Sequence, residues 1–268
     1  LIKINAESLK DFQICSLLYQ YKYIDKLDDN KNIRERRIQK FDDTIKRVAA
    51  FFFYKKQSYA EPSYQAMLNR WQKLWFADET SAADIAAMKN EIIWGSDTSY
   101  TTQAASAMLS FHEQFYDKTS DQVMLVDEPF TVPLSKKVAL TGNFDLVLRE
   151  KKPDGNYKYK IYKWITNNLK KPSSFWTFDF VVLDYAFKYR NNNNLLDISY
   201  YLWDFGSSNP GSKEVVLDSE DFSILEHWSS QLEQTEIFSP RRGLTSYCKS
   251  CPYDKPCSRW TITDAISK

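Results

Sequence analysis

Apolar residues along the first hundred positions recur at helical spacing. Leu9, Phe12, Leu17 and Tyr21 follow Ser8, a residue suited to an N-cap, and predict a helix running to about Tyr23. Asp28-Asp29-Asn30 ends it. Helical patterning resumes over 33–56, again behind Glu61-Pro62-Ser63 to about 76, and then over 81–94 and 99–116. The pattern then changes. Segments 122–134, 137–149 and 157–166 are rich in β-branched and aromatic residues, and Asp154-Gly155 between the last two is a hairpin signal. A helix is predicted over 175–190, ended by the run Asn191–Asn194. Strands follow at 196–205 and 213–217, then a helix over 219–235. The last thirty residues, carrying Pro240, Pro252 and Pro256, read as irregular chain. The order predicts one α/β domain over 1–268: a helical insertion at 25–100, a sheet core at 120–218 and a C-terminal region at 240–268.

Composition narrows the partners more than the fold. The longest apolar run, VAAFFFY at 48–54, falls far short of the roughly 20 residues that cross a bilayer, so no membrane partner is expected. A net charge of +1 gives no global pull on nucleic acid, and any such contact must come from local patches. Arg34, Arg36, Arg37 and Lys40 form one basic run, with Lys46 and Arg47 close behind. Lys170-Lys171 and Arg241-Arg242 make two further pairs. Such residues track phosphates, while tyrosine and tryptophan stack on unpaired bases. The plain alternative for each run is a solvated helix face.

The four cysteines carry the strongest chemical signal. Cys15 lies in SLKDFQICSLLYQYKY, and Cys248, Cys251 and Cys257 crowd YCKSCPYDKPCSRW in a C-x2-C-x5-C spacing. Four thiolates around one centre suit tetrahedral zinc or an iron–sulfur cluster, and either would clip the N-terminal helix to the C-terminal loop. Chance or buried small hydrophobes are the bland reading, but no cysteine lies between Cys15 and Cys248. Two disulfides are the other alternative. The charged, proline-bearing loop around Cys248 and Cys251 reads instead as a ligand loop. No hydrophobic leader precedes Cys15, so a cytoplasmic location, in a bacterial or phage-infected cell, is the expectation.

Other residues fall into a recognisable order. His112 sits in MLSFHEQFYD, Glu128 in VDEPF, and Gly142-Asn143-Phe144-Asp145 spells Gly-x-x-Asp. The next strand reads Ile161-Tyr162-Lys163-Trp164-Ile165-Thr166-Asn167, and the following helix, FVVLDYAF, carries Tyr185. With the flanking cysteines, this order resembles the iron–sulfur branch of the PD-(D/E)XK nuclease superfamily. That branch includes RecB-like CRISPR-associated, AddB-type and exonuclease V nucleases. The resemblance covers nearly the whole chain. It implies a mixed sheet flanked by helices, a [4Fe-4S] cluster on Cys15, Cys248, Cys251 and Cys257 (with zinc as the alternative), and a cleft built from His112, Glu128, Asp145 and Tyr185. His112 and Asp145 would be ligands to a divalent ion there. DNA, single-stranded or at ends, is the implied partner, with a helicase or other complex subunit beside it, in repair, recombination or phage biology.

The resemblance fails at one motif. The family places Asp/Glu-x-Lys where this chain has Lys163 and Ile165, and a glutamine where it has Val181. Hydrolysis in this superfamily uses divalent ions on carboxylates and a lysine beside the attacking water. An ammonium at Lys163 opposes a cation, and Ile165 neither donates a proton nor holds charge, which argues against magnesium or manganese. The expectation is a DNA-binding protein with a degraded, inactive or weak nuclease site. One alternative is an active nuclease with a displaced acid, for which Asp127, Asp179 and Asp184 are candidates. Another is a structural iron–sulfur or zinc protein. His227 is read as structural.

Overall fold

The computed structural model describes residues 1–27, 33–75, 94–117, 121–166, 174–192, 195–206, 211–241, 247–248 and 251–259. Its chain opens with a strand that the apolar pattern did not announce. Ile2–Ile4 (β1) is three residues long and pairs in parallel with Val138–Leu140, Ile4 being fully buried. Asn5 then caps helix α1, Ala6–Ile14: the Ser8 N–H donates to Asn5 Oδ1 at 2.7 Å, and the Asn5 N–H to Ser8 Oγ at 2.9 Å. Ser8 is thus the far half of a capping box and not the cap itself. The helix expected to run to Tyr23 breaks at Cys15, whose backbone is extended. It resumes as α2, Ser16–Tyr19, and a π-helix, Gln20–Ile24.

Helix α3 (Ile33–Gln57), α4 (Tyr64–Trp75) and α5 (Trp94–Phe115) form the helical region. The helix predicted over 81–94 lies outside the described residues save for its last position, Trp94, which opens α5. The meander is present as β2 (Gln122–Pro133), β3 (Val138–Lys151) and β4 (Tyr157–Ile165). Helix α6, Ser174–Arg190, crosses over to β5, Asp197–Asp204, which lies parallel to β4. Strand β6 (Gly211–Val215) closes the sheet antiparallel to β5, and α7 (Ser219–Gln234) and the short α8 (Asp254–Arg259) follow.

Two cores sandwich this mixed sheet. Helices α1, α6 and α7 cover one face through Leu9, Phe12, Phe180, Val182 and Leu225, while α3, α4 and α5 cover the other through Phe52, Phe53, Trp71 and Phe111. Along β4, Ile161 and Ile165 enter the first core and Tyr162 and Trp164 the second, as the two-residue period requires. Lys163 therefore points to the α1/α6 face.

The sheet has one interruption. Strand β2 occupies one edge of β3 from Gln122↔Arg149 to Pro133↔Ala139. Strands β1 and β4 share the other edge, β1 opposite 138–140 and β4 opposite 146–151. Between them the edge of β3 over 141–145 has no strand partner among the described residues, and the sheet forks there. Both strands beside the fork also turn over. Phe144 faces the first core but Leu146 the second, and opposite them Asp127 takes a left-handed φ of 47°.

Candidate active site

Gly142 and Asp145 stand in the fork for separable reasons. A Cβ at Gly142 would lie 2.5 Å from the Phe130 ring, so the packing of Phe130 across the β2–β3 pair requires glycine. Asp145 sits where the β3–β4 ladder has ended at Leu146↔Tyr162, and its Oδ2 accepts the Trp164 N–H at 2.7 Å. The carboxylate thus takes the place of a missing backbone acceptor. Burial pushes its pKa up, against the opposing pull of Lys163, Lys46 and that N–H.

Lys163 follows on β4, one position short of Trp164. Its Nζ lies 3.3 Å from Oδ1 of Asp179 on α6, and Lys10 of α1 pairs with the other oxygen of the same carboxylate. Burial disfavours the Lys163 ammonium, but the charges of Asp179, Asp145 and Asp42 outweigh it and its pKa rises. Burial likewise works against ionised Asp179, and Lys163 and Lys10 together bring its pKa below the usual carboxylate range. On the opposite side, Asp42 of α3 pairs with Lys46 at 2.7 Å and accepts a hydrogen bond from the Thr166 hydroxyl just beyond β4. Three carboxylates and three ammoniums from α1, α3, β3, β4 and α6 thus balance one another around the fork. A divalent ion does not fit this arrangement, because Lys163 already supplies a cation among the carboxylates.

The remaining predicted site residues make other contacts, with Glu128 standing across β2–β3 from Phe144, the neighbour of Asp145. Ile165 is buried in the first core and reaches no polar group through its side chain. Glu128 pairs with Arg190 at 3.2 Å, and Asp127 accepts from Asn143 at 2.7 Å. Tyr185 donates to the Pro133 carbonyl at 3.0 Å and lines a cavity of about 340 Å³ with Val181 and Leu134. Asp184 is buried and held by Tyr200 and Lys188. His112 stacks on Tyr116 at 4.4 Å and meets Phe52 and Tyr64 edge-on. His227 packs edge-on against Trp228.

Of the basic residues, Lys46 reaches the fork. Lys40 lies over the Trp75 ring, and Arg241 donates to the Gln13 carbonyl at 2.6 Å. Lys170, Lys171 and Arg242 fall outside the described residues, as do the side chains of Arg34, Arg36 and Arg37. Sequence reasoning missed Lys10 and Asp42. Nothing local marks Lys10, whose partner Asp179 is 169 residues away, and Asp42 shows locally only as one end of a helix pair with Lys46.

The cysteines meet at the chain ends. None is in a disulfide, and Cys15, Cys251 and Cys257 pack beside Leu17, Leu18, Tyr21 and Tyr253. Burial pushes the Cys251 thiol up, and the nearness of Cys15, Cys257 and Cys248 adds to the rise. The donor set is of the right kind for a cluster. Yet among the described residues no three His, Cys, Asp or Glu side chains are arranged as a metal-binding group. Protein contacts already hold the junction. The Ser16 hydroxyl donates to the Ser239 carbonyl at 3.1 Å and accepts the Ser239 N–H at 3.0 Å, while the Tyr253 hydroxyl donates to the Leu27 carbonyl at 3.3 Å.

Comparison with known proteins decides the lineage. The family model of the PD-(D/E)XK nuclease superfamily matches residues 3–258. The chain belongs to the PD-(D/E)XK nuclease superfamily. Its mixed sheet with flanking helices is the fold of that superfamily. A provisionally assigned exonuclease from Eubacterium rectale is similar in structure, with 11% identity, a TM-score of 0.49, and 92% of this chain and 87% of that chain covered. The protein SSO0001 is similar at 15% identity and a TM-score of 0.31, over 62% of this chain and 80% of that one. No curated protein matches. No helix among the described residues is long and apolar enough to cross a membrane.

Proposed function

We propose that this superfamily member binds DNA in a processing, repair or recombination role and does not cut it. The observation that carries the reading is the Lys163 ammonium in the fork, 3.3 Å from Asp179 and within the field of Asp145. Metal-assisted hydrolysis needs carboxylates free to hold a cation, and here an internal cation neutralises them. Ile165, packed among apolar side chains, offers no substitute for the motif lysine. Loss of an acid–base or charge-stabilising group commonly costs about 10²–10⁴-fold in rate.

The four cysteines hold a [4Fe-4S] cluster in this reading, supported by their convergence at the chain ends and their C-x2-C-x5-C spacing. Anaerobic preparation with iron and sulfide assays checks that part; stoichiometric zinc without labile sulfide would overturn it. For the function, purified protein is incubated with labelled single- and double-stranded DNA and magnesium or manganese. Binding without product is expected. Cleavage by the unmodified protein, abolished by Asp145→Ala, would show that the fork is a working site and end the proposal.

A further inference from the structure

Helix α3 ends in a way that its own stability does not explain. The Tyr59 N–H donates to the Lys56 carbonyl and the Ala60 N–H to the Lys55 carbonyl, each at 3.0 Å. These are the paired bonds of a helix terminus whose left-handed residue is usually glycine. Here that residue is Tyr59, with φ 56° and its side chain 100% exposed. A Cβ is disfavoured at such a position, and a wholly exposed ring recovers nothing by packing. Among the described non-glycine residues with positive φ (Lys26, Tyr59, Asp117, Asp127 and Asn192), this is the aromatic one.

Beside the ring lies a cavity of about 530 Å³ whose walls include Lys56, Gln57, Glu61, Asp121 and Gln122. Its charges are already engaged in ion pairs, Lys160 being shared between Asp121 and Glu150. Lys56 is bound to Glu61, and Asp121 to Lys160 at 2.8 Å. The site therefore exerts no net pull on a phosphate. What it offers is an aromatic face, the Gln57 amide, which both donates and accepts, and the NH2 of Gln122, whose Oε1 already accepts from Arg149. That set suits a flat, uncharged ring system with donors and acceptors on its edge. Lys56 and Asp42 share α3, fourteen residues or about 21 Å apart, so the cavity is a few nucleotides of extended strand from the fork.

We propose that this cavity receives an unpaired nucleobase, stacked on Tyr59 and held at its edge by Gln57 and Gln122. The inference rests on the DNA-binding reading and adds single-strand recognition at a second position. The test compares the unmodified protein with Tyr59→Gly and Tyr59→Phe. The probe is a single-stranded oligonucleotide containing 2-aminopurine, whose fluorescence is quenched by stacking, set against a duplex of the same length. Tyr59→Gly is expected to weaken single-strand binding about 5- to 150-fold, the range for losing one base–aromatic stack, and to abolish the quench. Duplex binding stays unchanged, and thermal stability holds or rises because glycine suits the left-handed position. Tyr59→Phe keeps both affinity and quench. Single-strand binding by Tyr59→Gly equal to that of the unmodified protein overturns this inference and leaves DNA binding standing. Failure of the unmodified protein to bind either DNA overturns both.

Discussion

Replacing Lys163 with methionine removes one positive charge from the fork and keeps most of the side chain's volume. At 3.3 Å, its attraction to Asp179 is about 5 kcal/mol at an effective dielectric constant of about 20. Much of that offsets the cost of burying the ammonium, so the net contribution is smaller. Breaking a buried pair by removing one partner costs roughly 3–5 kcal/mol, and Lys10 remains on Asp179 to soften the loss. A destabilisation of about 2–3 kcal/mol near pH 7 is expected. Its pH dependence follows from the carboxylate. The folded pKa of Asp179 lies below its ordinary value, so its stabilisation is present above about pH 4 and fades as pH falls through the folded value. The difference between the two proteins should therefore be largest near neutrality and shrink below about pH 4. Lys163's own raised pKa keeps its contribution intact at neutral pH, to be lost only as pH rises past the ordinary lysine value of about 10.4 and through the folded one. Urea unfolding of both proteins across this range measures it. A difference under about 0.5 kcal/mol at neutrality, or one that persists undiminished in acid, refutes the ion-pair account.

Two further predictions concern the supports of the site. Gly206→Ala would place a Cβ 1.8 Å from the Thr166 carbonyl oxygen, so a loss of about 3 kcal/mol or more is expected in thermal unfolding; an unshifted midpoint contradicts it. On the proposed cluster reading, Cys15→Ser should abolish cluster assembly but leave the chain ends joined through the Ser16–Ser239 bonds and the Tyr253 contact. Limited proteolysis reads this directly, and rapid release of the C-terminal segment would show that the cysteines alone hold it.

Much of the architecture was legible because it is periodic. The meander, its Asp154-Gly155 turn and helix α6 follow from alternation and turn chemistry, and their observed bounds lie within a few residues of those expected. Strand β1 was not, since three residues carry no period and Ile2–Ile4 becomes a strand only by pairing with β3. The continuous helix through Cys15 failed for a related reason: apolar spacing persists across the break while the backbone does not. At the site, Asp145 and Lys163 were visible as motif positions and Asp179 as a candidate acid, but Lys10 acquires its role through Asp179 on α6, and Asp42 through Thr166 just beyond β4. His112, named from the family resemblance, packs its ring among Phe52, Tyr64 and Tyr116, contacts that no local pattern announces.

The fork between β1 and β4 bears on how such a protein changes over generations. Side chains within a continuous ladder are constrained twice, by neighbours on their own face and by the strands on either side. Along 141–145 one of those constraints is missing, since among the described residues β3 has no strand there on that edge. Lys163, across the gap, lies beyond the last β3–β4 pair; it is held on its other side by Leu202 of β5 and meets the charges of Asp179, Asp145 and Asp42. A mutation at such a place acts through the charge balance around it, and through that balance on the stability of the fold. An exchange of charge in the gap thus acts on the ion pairs there and breaks no backbone bond of the ladders on either side.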